Sequence, residues 1–356
     1  MGRIRLVLAD GTQFNGESFG ALKAVSGEVV FNTGMVGYPE SLTDPSYRGQ
    51  ILVMTYPLAG NYGVPGDEVA DGMRTWFESA RIQASGLVVA EHSIEYAHWN
   101  AVKSLSEWLS EEGIPGISGI DTRALTRILR ERGTVPGKIV PDDDSSSDDI
   151  SFDDPNIRNL VAEVSVGEPV LYKRGPRRIV LVDCGTKNNI IRSFLNRDIT
   201  VLRVPWDHSF DEEEADGFVL SNGPGDPKMC VETIARAKQL LGGDRPVLGI
   251  CLGSQIMALA AGADTYKLRY GHRSQNQPCV ESGTRRCHIT SQNHGYAVDT
   301  RTIPQDWREW FVNSNDGTNE GLVHISKPFF GVQFHPEAAP GPDDTDFIFD
   351  MFVRAL

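Results

Sequence analysis

No stretch of this 356-residue chain is apolar for long enough to cross a bilayer. The most apolar segment, residues 247–263, is interrupted by Gly, Ser and Gln. Cysteine is scarce: five residues at irregular spacing make no disulfide framework, and an odd number leaves one thiol over. Basic residues are in deficit, 34 Lys and Arg against 48 Asp and Glu, and the net charge of -14 repels phosphate backbones. The opening MGRIRLVLAD has no long apolar core of a secretory signal and no small-residue cleavage site. These absences point away from nucleic acid, membranes and secretion, and toward a soluble cytoplasmic protein. What is present is 40% hydrophobic residues, enough for packed cores, and a length suited to two domains.

The two halves have different rhythms. Residues 1–140 are rich in strands and turns: Asp10-Gly11 marks a hairpin, and residues 28–32, 50–56 and 84–91 read as strands. Two helices are expected there. One, in AVKSLSEWLSEEG, places Val102, Leu105, Trp108 and Leu109 on one face and stops at Gly113. The other, in DTRALTRILRERG, has Asp121 as N-cap and Gly133 as stop. Residues 141–154, PDDDSSSDDISFDD, bury no face and read as a solvated loop, so residues 141–176 are taken as an interdomain connection. From Arg177 strands and helices alternate, the signature of a doubly wound, mainly parallel α/β sheet over residues 177–356.

The segment PVLGICLGSQ carries the chemistry. It reads strand, sharp turn, helix, with Gly249 and Gly253 flanking Cys251. This is the thiol form of the nucleophile elbow. The glycines let backbone pass close by, and the helix N-terminus favours thiolate over thiol. The amide of Leu252 then becomes a natural oxyanion donor. A lone cysteine in an apolar strand is ordinarily a packing residue; the strand, both glycines and the helix together raise Cys251 above that. A thiol nucleophile needs a base. His335 is followed two residues on by Glu337, and extended backbone points both to one side. None of the competing histidines His272, His288, His294 and His324 has a carboxylate at that offset. Cys279, Cys287 and His288 match no zinc spacing, so no metal site is expected.

Four motifs occur together: SNGPGDP (221–227), GICLGSQ (249–255), QNHGYAV (292–298) and FHPEA (334–338). In order and spacing they resemble class I glutamine amidotransferase domains. The N-terminal segments at 27–57 and 120–133 resemble those of the carbamoyl-phosphate synthetase small-subunit family. The resemblance implies Cys251 as nucleophile, His335 as acid and base, and Glu337 as its partner. It implies an oxyanion hole of the Gly223 and Leu252 amides. It assigns Ser46, Gly225, Gln255, Asn293, Gly295 and Tyr296 to the head of L-glutamine. Two departures stand out: Ser254 where the family often has His, and Ser274 and Gln275 in a loop at 271–278 where glycines are usual.

GTVPGK (133–138) is one residue short of a P-loop and GPGDPK is no dinucleotide fingerprint, so the chain itself is expected to hold no cofactor. By resemblance, ATP and Mg belong to a large synthetase subunit, bound as a heterodimer or higher assembly. It would receive channelled ammonia for carbamoyl phosphate, and hence for pyrimidine or arginine biosynthesis. The competing readings are an amidotransferase serving another synthetase, a catalytically silent regulatory subunit and a general cysteine peptidase.

Overall fold

The computed structural model describes residues 2–142 and 150–356. Asp143 to Asp149, the centre of the acidic run, lie outside the described residues. The chain divides into two compact units, Met1–Ile157 and Arg158–Leu356. Among the described residues no helix is long and apolar enough to cross a membrane.

In the first unit, seven strands among the described residues close into a barrel. Arg3–Leu8 shows why: Ile4, Leu6 and Leu8 alternate inward and are fully buried. The expected hairpin forms, with Arg3–Leu8 antiparallel to Gln13–Ser18 and Gly11 at φ 86°. Val25–Asn32, Gln50–Met54 and Gly86–Val88 run parallel side by side. The first helix is shorter than its periodicity suggests. It spans Leu105–Glu111, while Val102 is exposed on the strand Ala101–Lys103. Ser104 starts the helix through a capping box with Glu107, whose carboxylate accepts from the Ser104 amide at 2.8 Å. The second helix, Thr122–Arg132, starts at Asp121 and ends at Gly133 as expected.

The expected connection at 141–176 is shared between the units. The Asp153 amide donates to Ser26 Oγ at 2.8 Å and Asn156 Nδ2 to Glu28 Oε1 at 3.2 Å, fastening that stretch to the first unit. Val170–Tyr172 instead joins the sheet of the second unit, antiparallel to Ile199–Pro205.

That sheet has ten strands among the described residues. Ile199–Pro205, Arg177–Asp183, Gly217–Leu220, Val247–Ile250 and Phe329–Val332 are its parallel centre. Gly217–Leu220 and Val247–Ile250, at the middle, are buried at every residue, as strands covered on both faces are. Beyond Phe329–Val332 the sheet turns antiparallel, through Asn319–His324, Trp307–Asn313, Thr265–Glu281 and Cys287–Val298. The expected loop at 271–278 is therefore part of a 17-residue strand, with register shifts between Lys267 and His272 and between Ser274 and Gln277. The shifts let this long strand bend without losing its partner. Ser274 is buried there and accepts from Gln277 Nε2 at 2.9 Å.

Replacing Ser104 with Ala removes the capping hydroxyl. Unfolding in urea should show a loss of about 1 kcal/mol; an unchanged midpoint would show that the capping box contributes nothing.

Candidate active site

The strand Val247–Ile250 ends at Cys251, which N-caps the helix Leu252–Ala261 at φ 52° and ψ -106°. Such backbone is strained for a residue with a Cβ, and neighbouring structure must hold it. Here the Cys251 amide donates to the Val332 carbonyl at 2.8 Å. Two close approaches hold the turn from below. A Cβ on Gly253 would lie 2.0 Å from the Leu220 oxygen, and one on Gly249 would lie 2.7 Å from the Gly253 backbone. Only glycine fits either place.

The Cys251 sulfur is nearly buried, at 2% exposure, but its surroundings are polar. The Asn293 carbonyl lies 3.7 Å from it, and Gln333 Nε2 donates toward it at 3.6 Å. Burial pushes the thiols of Cys184, Cys230 and Cys279 up, Cys230 to about 12, which marks them as inert packing residues.

His335 follows the strand Phe329–Val332, and its amide donates to Ser291 O at 2.9 Å. His335 Nδ1 and Glu337 Oε1 are 2.6 Å apart, both residues being buried. That leaves Nε2, which has no partner in hydrogen-bond geometry among the described residues. Burial alone would lower the His335 pKa. The charges of Glu337 and Cys251 outweigh it and push the pKa up to about 10. Burial likewise works against ionised Glu337, and Lys187 and His335 reverse it, holding the carboxyl down at about 2. The site is thus built for an imidazolium beside the sulfur.

Lys187 was not anticipated from the sequence. Its ammonium lies 3.1 Å from Glu337 Oε1 and donates to the Ala338 carbonyl. Asp183 places it: Oδ1 accepts from the Gly185 and Thr186 amides at 3.0 and 2.7 Å, turning the chain so that Lys187 enters the interior. No signal in the sequence could have paired them, since Lys187 and Glu337 lie 150 residues apart along the chain (337 − 187).

The other expected residues lie in four places. Gly223 packs on the elbow: its Cβ would meet the Cys184 oxygen at 2.0 Å and the Leu252 side chain at 2.8 Å. Leu252 opens the helix, where first-turn amides have no intrahelical acceptor. Gly225 sits at φ 85° in the same loop as Gly223. Asn293, Gly295 and Tyr296 lie along Cys287–Val298. Gln255 ties the helix to that strand, its Nε2 donating to Tyr296 O at 2.7 Å and to Gln333 Oε1 at 2.9 Å. Ser254 is buried against Gly331. Ser46 lies in the first unit, on the turn Pro45–Tyr47, with its amide bonded to Asp44 Oδ1 at 2.9 Å.

Residues 180–355 match the glutamine amidotransferase class-I family, and residues 6–139 match the carbamoyl-phosphate synthase small chain, CPSase domain. The arginine-specific small chain of carbamoyl phosphate synthase from Aspergillus fumigatus is 49% identical over 361 residues, covering 99% of this chain and 80% of that one. The chain belongs to the carbamoyl-phosphate synthase small-chain family. Multifunctional relatives are similar too. Protein CAD of Squalus acanthias is 54% identical over 353 residues, 98% of this chain but 16% of CAD. Protein pyr-3 of Neurospora crassa is 49% identical over 390 residues, 100% of this chain and 21% of pyr-3. The chain therefore spans about a sixth to a fifth of these multifunctional relatives. The thiol elbow and the His-Pro-Glu segment both fall within the residues that match the amidotransferase family.

The ionised pair makes a signed contribution to stability. The share of His335 is complete below its ordinary 6.5 and is lost as pH rises through about 10. The share of Glu337 is complete above its ordinary 4.5 and is lost as pH falls through about 2. The stability gap between the parent and Glu337→Gln, read by denaturant unfolding, should be widest between pH 4.5 and 6.5 and narrow on either side. A gap that ignores pH would mean the pair is not ionised. Separately, Gly253→Ala forces backbone apart and should cost at least about 2 kcal/mol in denaturant unfolding; an equally stable variant would contradict the packing described.

Proposed function

We propose that this chain hydrolyses L-glutamine to glutamate and ammonia, and that the ammonia feeds carbamoyl phosphate synthesis. One observation carries the reading: a cysteine at a strained strand-to-helix turn has for its neighbour an imidazole held cationic by a buried carboxylate. Peptide hydrolysis would leave the glutamine-binding motifs of the amidotransferase half without a task.

In the proposed reaction the Cys251 sulfur attacks the side-chain amide carbon of glutamine. The carbonyl oxygen takes the negative charge, and the Gly223 and Leu252 amides receive it. His335 Nε2 gives its proton to the departing nitrogen, and ammonia leaves. Water, deprotonated by the same atom, then cleaves the γ-glutamyl thioester and restores the thiol. Glu337 keeps Nδ1 bonded and so keeps the ring turned; Lys187 keeps Glu337 ionised. The amino and carboxylate groups of glutamine fall to the loop with Gly225 and to the Gln255, Asn293, Gly295 and Tyr296 region. None of these steps calls for a cofactor on this chain.

Ammonia in neutral water is mostly protonated and no longer nucleophilic, so it must pass directly to its acceptor. We assign the acceptor to an ATP- and Mg-dependent synthetase, either a separate large subunit or, as the length of the CAD and pyr-3 proteins suggests, a further part of one polypeptide. The reducing cytoplasm suits a reaction that depends on a free thiol.

Cys251→Ala should lower glutaminase turnover at least about a thousandfold while glutamine still binds. Mixing the chain with a synthetase large subunit should raise glutaminase activity and yield glutamine-dependent carbamoyl phosphate. Retained turnover in Cys251→Ala would remove the nucleophile assignment; a chain indifferent to the synthetase would remove the coupling.

A further inference from the structure

The proposed hydrolysis puts negative charge on the Cys251 sulfur twice, before it attacks and again when the thioester breaks. His335 Nε2 is in hydrogen-bond geometry with no atom among the described residues. Two other groups do contact the sulfur. The Asn293 carbonyl lies 3.7 Å away and can only accept, so it suits the proton of a thiol and opposes a thiolate. The Gln333 side chain lies 3.6 Å away and takes no part in the steps already assigned.

An amide can turn either its nitrogen or its oxygen toward a sulfur, and the neighbours of Gln333 decide which. Gln255 and Gln333 are 2% and 1% exposed, so protein groups rather than bulk water satisfy them. The Tyr296 carbonyl cannot donate, which places the nitrogen of Gln255 beside it, at 2.7 Å. The same nitrogen lies 2.9 Å from the end of Gln333, and an N–H there requires an oxygen, Oε1. Nε2 of Gln333 is then left on the side of the sulfur. A backbone carbonyl of the strand Cys287–Val298 thus fixes two amides in turn and leaves a donor aimed at Sγ. The backbone of Gln333 is anchored as well, its amide donating to the Glu320 carbonyl at 2.9 Å. A buried donor already in place needs no rearrangement when charge arrives, and it counts for more there than in water.

We propose that Gln333 is a further catalytic residue, whose Nε2–H receives the charge of the Cys251 sulfur. The assignment rests on Cys251 being the nucleophile of glutamine hydrolysis. When the thiol ionises, its proton goes to His335 and the electron pair stays on sulfur, where the Gln333 N–H meets it. That pair then forms the bond to the amide carbon of glutamine. When water cleaves the γ-glutamyl thioester, the carbon–sulfur bond breaks and the carbon keeps the water oxygen. The pair returns to sulfur and to the same N–H. His335 spends its proton on the departing nitrogen in between. Gln333 has no titratable proton, so its donor serves the sulfur at both stages.

Alkylation of Cys251 by iodoacetamide reads the sulfur without glutamine. It is followed across pH in the full chain, with the exposed Cys287 replaced by Ser. Gln333→Met keeps the length of the side chain and removes the donor. The midpoint of its alkylation profile should rise by at least about one pH unit, leaving about a tenfold smaller thiolate share below it. Gln333→Glu keeps an oxygen for Gln255 Nε2 but turns an acceptor toward the sulfur, and its midpoint should rise further. Glutaminase turnover below the parent midpoint should fall at least about tenfold in both. Nitrogen NMR of the unaltered Gln333 side chain gives a second reading that needs no folded variant. Its Nε2 signal should move at the pH where Cys251 becomes reactive and stop moving once the sulfur is alkylated. Unmoved midpoints in both variants, or a Gln333 signal indifferent to the sulfur, would overturn the role. A parent chain that alkylates as described yet leaves glutamine intact would instead overturn the function on which the role rests.

Discussion

The chemistry proposed for this protein depends on an ionised carboxylate kept in the interior. Glu337 is buried, and water cannot stabilise its charge; Lys187 and His335 do so instead. Removing one member of such a group leaves another charge unpaired, which costs far more than the group as a whole contributes. The arrangement is therefore better understood as a device for holding His335 cationic and correctly turned than as a source of stability. In the proposed reaction the proton for the leaving nitrogen would come from Nε2, the ring atom that Glu337 leaves alone.

The elbow supplies the other half. A cysteine at φ 52° survives because backbone closes around it: Gly249 lies on Gly253, Gly253 on Leu220, and Gly223 on Cys184 and Leu252. The same close packing that permits the strained turn delivers the helix N-terminus to the sulfur. Packing and chemistry are here one constraint, which is why the motif tolerates so little volume. Gln255 and Gln333 extend it sideways, linking the elbow helix to the strand bearing Tyr296.

Local signals were readable where the physics is local. The Asp10-Gly11 hairpin, the Asp121 cap, the Gly133 stop and the alternation of strand and helix after Arg177 depend on neighbours in sequence, and they took the expected form. Val102 did not. Its apolar spacing continued a helical stripe, but the Ser104 capping box set the start of the helix beyond it. The segment at 271–278 looked like a loop because its composition is polar. It is a strand because Cys287–Val298 pairs antiparallel with it, at His272 to Ser274 and again at Gln277 and Pro278.

Composition and motif order alone were enough to identify the two-part organisation, the thiol elbow and the His-Pro-Glu offset, since each is written within a few consecutive residues. Tertiary structure alone decided what surrounds them. Lys187 meets Glu337, Gln333 meets Cys251, and His272, His294 and Glu320 meet one another only when strands distant in the chain become neighbours in a sheet. A charge buried among such partners is fixed by the local dielectric and by distances in space, and neither quantity is carried by spacing along the chain.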